Sequence, residues 1–199
     1  MTKPRIYLLY LLYMKSLQLE KPHAIVVVGI QGSGKSFFAE KFADTFTAPY
    51  IDDKQFIDHA KTEGDAKMIA TTMLLELLKT GKSIVIETDG SKENRFELSK
   101  LLKDSGYEML LVWVQTDSNT AMARARKMNG TKASEYKEGL KLFSAPKNNE
   151  QPLVISGKHT FASQTKTVLK KLAATNRPPI FHGDRSTIPA QQRSNIVVN

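Results

Sequence analysis

The stretch Gly29-Ile-Gln-Gly-Ser-Gly-Lys-Ser36, directly after the apolar run Ala24-Ile-Val-Val-Val28, constrains the fold of this chain more than any other feature. A run of that length and branching reads as a buried parallel strand. The glycine-rich segment reads as a loop whose backbone N–H groups wrap the α- and β-phosphates of a nucleotide. A helix must follow, and Phe38, Ala39, Phe42, Ala43 and Phe46 supply its apolar face by recurring at three- and four-residue intervals. Bound phosphates then sit on a helix N-terminus, where free N–H groups and the helix dipole favour anions. In such a loop Lys35 reaches the β- and γ-phosphates and the Ser36 hydroxyl ligates Mg²⁺. A dinucleotide fingerprint does not fit, because after Gly32 and Gly34 the third glycine position is Phe37.

The middle of the chain alternates β-rich runs with helix-period stretches, the pattern of βαβ units around a parallel sheet. Strands are expected at Ala24 to Val28, Ala48 to Ile51, Ser83 to Glu87, Met109 to Gln115 and Pro152 to Ile155. Helical runs at Lys67 to Lys79 and Glu93 to Ser105 are followed by Gly81 and Gly106, placed as C-terminal caps. The expected fold is α/β: a three-layer α/β/α domain over residues 21–175 with a five-stranded parallel sheet and a small lid. Residues 1–20 form an N-terminal extension, and residues 176–199, with Arg177-Pro-Pro and a polar run, read as a flexible tail.

Composition narrows the chemistry. None of the 199 residues is Cys, which rules out disulfides and thiolate metal sites and agrees with a reducing cytoplasm. The four His are scattered, against a zinc site. Net charge is +9, of which residues 1–23 carry +3 and residues 176–199 carry +2. The remaining +4 suits a polyphosphate ligand better than it argues for nucleic acid. The apolar segment Ile6 to Met14 is half of what a membrane span needs, so it is expected to be a packed extra helix or to precede a true start at Met14.

Phosphoryl transfer needs a phosphate cradle, Mg²⁺, cations for developing charge and a base for the acceptor hydroxyl. Carboxyl ends of strands line the ligand crevice of an open α/β sheet. Asp52 and Asp53 close the second strand there, Asp53 as the preferred base and Asp52 as a substrate contact or a cap. Glu87 and Thr88 end the third, where a charge after the buried Ile84-Val-Ile run is hard to explain by packing. Arg95, in the next helix, joins Asp52, Glu87 and Thr88 as an expected substrate contact, and Glu87 joins Ser36 at the metal. Ser118 is the expected N-cap of a further helix. On it Arg124 and Arg126 flank the apolar stripe from opposite sides, and a lid from Met128 to Ser134, broken at Gly130, could bring them over the phosphates.

Taken together, Gly-x-x-Gly-Ser-Gly-Lys-Ser, Tyr50-Ile-Asp-Asp53, Ile84-Val-Ile-Glu-Thr88, Leu101-Leu-Lys-Asp-Ser-Gly-Tyr107 and Arg124-Ala-Arg126 make residues 24–172 resemble the P-loop kinase superfamily. The nearest branch is the zeta-toxin and polynucleotide-kinase-like one, although Lys54 and Gln55 stand where that branch usually has an arginine. The resemblance implies ATP and Mg²⁺ as cofactors, Asp53 as acceptor base, Glu87 near the substrate, Arg124 over the transferred phosphate and Ser156-Gly-Lys-His-Thr160 as an adenine-side loop. Nucleotide contacts then fall on Gly29, Gln31, Gly32, Ser33, Gly34, Lys35, Ser36, Phe37 and Lys158, and catalytic roles on Lys35, Asp53, Arg124 and Arg126. The expected activity is transfer of the γ-phosphate of ATP to a hydroxyl of a small molecule, a nucleotide or sugar nucleotide, or a polynucleotide end. A non-kinase ATPase or nucleotide-gated binding module is the alternative; a GTPase is disfavoured because neither Asn-Lys-x-Asp nor Asp-x-x-Gly occurs as a guanine reader or switch.

Overall fold

Strand β1 (His23–Val28) is buried along its whole length, and the rest of the molecule is arranged around it. With β2 (Tyr50–Asp52), β3 (Ile84–Glu87), β4 (Glu108–Gln115) and β5 (Leu153–Ser156) it forms one sheet in the order β2-β3-β1-β4-β5, parallel at every pairing. This computed structural model describes residues 17, 19–52, 55, 56, 60–88 and 90–175. The apolar segment Ile6 to Met14, Asp53, Lys54, Asp89 and the tail from Asn176 lie outside the described residues.

Helices cover both faces. Ile25 and Val27 meet Phe38 and Phe42 of α1 (Lys35–Phe46) and Val168 and Leu172 of α6 (Phe161–Thr175). Ala24, Val26 and Val28 face the other way, toward Leu74 and Leu78 of α2 (Glu63–Leu78) and Leu102 of α3 (Lys92–Asp104). Burial on both faces explains why β1 reads as a continuous Val/Ile run rather than an alternation. Gly81 and Gly106 take φ of +65° and +78°, the left-handed values that let each chain turn from a helix end into the next strand. Among the described residues no helix is long and apolar enough to cross a membrane.

On the carboxyl side of β4 the chain runs through α4 (Ser118–Asn129), a turn at Gly130, and α5 (Ala133–Leu142). The α4 cap is Asp117, whose carboxylate accepts from Thr120 N at 2.9 Å, so the expected cap at Ser118 is corrected by one residue. Gly130 breaks the helix as anticipated, but the segment Met128 to Ser134 expected to be a lid holds the end of α4, a short turn and the start of α5; the element beside the glycine-rich loop is α5. Tyr136 seals it onto Ala121 and Ala125, with its hydroxyl donating to Ser118 O at 3.2 Å.

Arg95 corrects a second expectation. Rather than facing a ligand it is 2% exposed and serves the fold. Its Nε and Nη2 donate to the two carboxylate oxygens of Glu150 at 2.7 and 3.0 Å, and Nη1 donates to Gly90 O at 2.5 Å and Ser144 O at 2.8 Å. This clamp fastens the chain after α5 to the corner between β3 and α3, and Phe143 packs so closely there that a side chain at Gly90 would meet its ring at 2.6 Å. The Arg95 hydrogen bond holds the Glu150 carboxyl below its ordinary value against the opposing effect of burial. A lowered folded pKa means that this stability is present above the ordinary carboxylate range and is lost as pH falls through the folded value. Arg95→Met should therefore lower unfolding free energy by about 3–5 kcal/mol, the range for breaking a buried ion pair. Urea denaturation at neutral and acid pH should show the wild type losing stability in acid more steeply than Glu150→Gln.

Candidate active site

Between β1 and β3 the polypeptide leaves in opposite directions, β1 into α1 on one face and β3 into α3 on the other, so a crevice opens at their carboxyl ends. The glycine-rich loop fills the β1 side. Gly32 and Gly34 adopt φ of +76° and +96°, and Ser33 N bonds Ile30 O at 3.0 Å, a turn that points successive N–H groups inward as an anion nest. α2, α3 and α4 begin with side-chain caps from Thr62, Ser91 and Asp117. α1 begins at Gly34, which brings no side chain, and its first turn holds no acidic residue. Its leading N–H groups are thus left for an external anion.

The loop is shaped from behind by close backbone approach. A Cβ on Gly32 would run into the Ala121 carbonyl oxygen, and one on Gly157 into the Ser33 carbonyl oxygen and the Thr116 hydroxyl, which donates to that carbonyl at 3.0 Å. Ser33 Oγ is buried without a hydrogen-bond partner among the described residues. Gln31 reaches sideways, its Nε2 donating to Thr131 Oγ1 at 3.0 Å and tying the loop to the approach of α5. Phe37 lies on the exposed side of α1 with Lys41 Nζ 5.3 Å from its ring, so only its backbone is directed by the loop.

Glu87 joins the two sides. It is 2% exposed; Oε1 accepts from Ser36 Oγ at 2.9 Å and lies 3.2 Å from Lys35 Nζ, while Oε2 accepts from Tyr50 Oη at 3.1 Å. Register places Asp52 beside it, Asp52 pairing Glu87 as Ile51 pairs Ile86. Burial first, then the charges of Glu87 and Asp52, push the Tyr50 hydroxyl far above its ordinary pKa, so it stays a hydrogen-bond donor to Glu87. Ser36 gives its proton to Glu87 and keeps its lone pairs for a cation. Hard oxygen donors from Ser36, Glu87 and Asp52 suit Mg²⁺, which takes few protein ligands and retains water. No cluster of three or more His, Cys, Asp or Glu suited to a metal occurs among the described residues.

The two arginines of α4 separate. Arg124 Nη1 donates to Gly157 O at 3.0 Å and stands 3.9 Å from where a Cβ on Gly34 would be, directly over the start of α1. Arg126 is exposed on the opposite side of the helix and lines a different cavity with Met122, Lys127 and Thr131; the structure does not bring it to the loop, which corrects its expected role. Lys158, beside Gly157, is paired with Asp117 at 2.6 Å and holds that carboxyl far below its ordinary range. Thr88 lies beside Glu87, and Asp53 lies outside the described residues. Sequence reasoning gave no role to Tyr50, Thr116 or Thr131, and placed Gly157 only within the adenine-side loop. Of the first three only Tyr50 left a signal, two residues before Asp52 and hence on the same face of β2.

Two cavities meet at these groups. One, about 270 Å³, lies between the glycine-rich loop and α5, lined by Gln31, Lys35, Tyr136, Leu140 and Phe143. The other, about 320 Å³, lies between α2, α3 and the ends of β2 and β3, with Glu87 and Thr88 at its inner end.

No known family profile matches the chain. It is 27% identical over 115 residues to shikimate kinase from Bartonella henselae, a match covering 52% of this chain and 53% of that enzyme; the chain thus spans about half the length of this curated relative. A gluconokinase from Sinorhizobium meliloti superposes with a TM-score of 0.61 at 18% identity, covering 78% of this chain and 94% of that one. The APS kinase from Mycobacterium tuberculosis, solved in complex with AMPPNP and APS, gives 0.59 at 16% identity over 77% and 98%. The chain therefore has a P-loop kinase-like fold, with the five-stranded parallel sheet flanked by helices that its sequence implied. Because the phosphate loop is shaped by contacts at Gly157 rather than by unusual dihedrals there, Gly157→Ala should weaken ATP binding at least tenfold by calorimetry. Gly64→Ala, with only ordinary contact around its Cβ, should leave binding unchanged and raise stability by about 0.5–1 kcal/mol.

Proposed function

We propose that this chain is an ATP-dependent phosphotransferase that moves the γ-phosphate of ATP to a hydroxyl of a small molecule. One observation carries the reading: Lys35, Ser36 and Glu87 are bonded together at the point where the phosphate loop meets the second cavity, so donor and acceptor sites share one set of polar groups. The loop and the uncapped start of α1 bind and orient the polyphosphate. Lys35, and Arg124 across from it, stabilise charge as it develops on the transferred group. Ser36 and Glu87, with Asp52 adjacent, would hold Mg²⁺, which would neutralise negative charge on the phosphates. Asp53 is the base that takes the acceptor proton, a role supported by its place after the second strand. Lys158 and Gly157 would border the adenine. Sequence motifs, above all Ile84-Val-Ile-Glu-Thr88 and Arg124-Ala-Arg126, support placement near the zeta-toxin and polynucleotide-kinase-like branch. Absence of Cys supports a reducing cytoplasm as the setting.

Transfer from γ-labelled ATP to a panel of hydroxyl compounds tests the reading. Lys35→Ala should abolish transfer with the fold intact by circular dichroism, and retained transfer would overturn the assignment. Asp53→Asn should lower kcat at least a hundredfold with ATP affinity nearly unchanged; a collapse of ATP affinity would instead put Asp53 at the metal. Arg124→Ala should cost at least tenfold in kcat, whereas Arg126→Ala should cost less than twofold.

A further inference from the structure

Resting on the phosphotransfer reading, we infer that the acceptor is an uncharged hydroxyl compound presenting an apolar face, such as a nucleoside or a cyclitol, and not a carboxylate, phosphate or sulfate ester. The second cavity opens beside the groups that hold the γ-phosphate, because Glu87 lines its inner end while touching Lys35 and Ser36. Its floor is aliphatic: Ile51, Leu74, Ile86 and Leu98. At about 320 Å³ it sits at the small end of ligand cavities, room for a ring compound rather than a polymer end.

Charge around the cavity runs against an anion. Its inner end is formed by Glu87 and Thr88, and beyond that end the Glu87 carboxylate, with Asp52 next to it in register, is turned toward Ser36 and Lys35. Among the described residues Lys67 is the only cation lining it. Lys67 lies 3.8 Å from Glu97, which also lines the cavity, and both heads are largely exposed. A solvated lysine whose charge is already matched offers an incoming anion little. Selective capture of a carboxylate or phosphate is typically the task of a guanidinium, which meets two oxygens at once. Between residues 20 and 175 the chain has three arginines, and none is available. Arg95 follows the cavity-lining Asn94 but is turned inward onto Glu150, Gly90 and Ser144. Arg124 stands at Gly157 across the phosphate loop, and Arg126 is on the far side of α4. The remaining rim, Thr71, Asn94 and Thr88, consists of neutral hydrogen-bonding groups suited to hydroxyls.

The transfer balances without further reactants. The acceptor oxygen bonds to the γ-phosphorus as the bond from that phosphorus to the β–γ bridging oxygen breaks. ADP leaves with the electron pair, and the hydroxyl proton passes to Asp53.

The test uses the full chain with MgATP and matched twins: uridine against uridine monophosphate, myo-inositol against an inositol phosphate, glucose against gluconate. At least one uncharged twin should be phosphorylated with kcat/KM ten times or more that of its charged partner. Thr71→Arg, at an exposed helix position, should narrow that ratio at least fivefold. Preference for a charged twin overturns the inference while leaving the kinase reading standing. If ATP binds and no compound is phosphorylated, the kinase reading fails. The same pairs are then ranked by binding, read from the methyl resonances of Leu74 and Leu98. Tighter binding of the uncharged twin sustains the inference, and equal binding, tighter binding of the charged twin, or binding of neither overturns it.

Discussion

The site depends on one constraint, the parallel pairing of β1 with β3. Val27 stands opposite Glu87 in that ladder, and a few residues past Val27 the backbone becomes the phosphate loop. Because side chains alternate across a strand, a slip of one residue in β3 would send Glu87 to the α2 and α3 face and bring Ile86 to Ser36. What opposes the slip is packing: Ile84 and Ile86 fill one buried layer and Val85 the other, so a shift of one residue would trade these side chains between layers and drive the Glu87 carboxylate into the apolar one. The chemistry is thus held by packing that takes no part in it.

That packing carries an electrostatic load. Lys35 and Glu87 form an ion pair with side chains only 8% and 2% exposed, and burying two charges costs several kcal/mol before their attraction repays it. Tyr50 and Ser36 lower the cost by donating to the same carboxylate, yet Asp52 lies beside it and adds a second negative charge. A buried pair of this kind is poor as a stabilising device; on the proposed function its oxygens would serve a divalent cation.

Much of this was legible in the sequence because it rests on short-range rules. Strand positions followed from apolar runs, the phosphate loop from its glycine and lysine spacing, the α1 face from a three- and four-residue recurrence, and Gly130 from its place after a helix. Opposed directions for Arg124 and Arg126 followed from 100° per residue; the preference for Arg124 came from the family resemblance and not from that geometry, since which of them meets the loop depends on how α4 docks on Gly32 and Gly157. Arg95 failed for a related reason. Its partner, Glu150, is fifty-five residues away, and nothing local distinguishes an arginine that meets a substrate from one that clamps a chain crossing. At the α4 start, Asp117 and Ser118 are both good caps, and only the geometry of the exit from β4 chooses between them.

The Arg95 clamp also bears on how the phosphate site and the second cavity divide the scaffold. α5 is held at its entry by the Gln31–Thr131 bond and after its exit by Arg95, so it covers the phosphate loop in a fixed place. The second cavity lies on the other side of Glu87, walled by α2 and α3, with Glu87 bonded to Ser36 of the phosphate site. Substitutions in those walls can change what enters the cavity without moving the phosphate site, provided the β3 register holds. Shared fold with a gluconokinase and an APS kinase therefore speaks to the loop and the sheet, whereas the acceptor has to be read from the walls of this cavity alone.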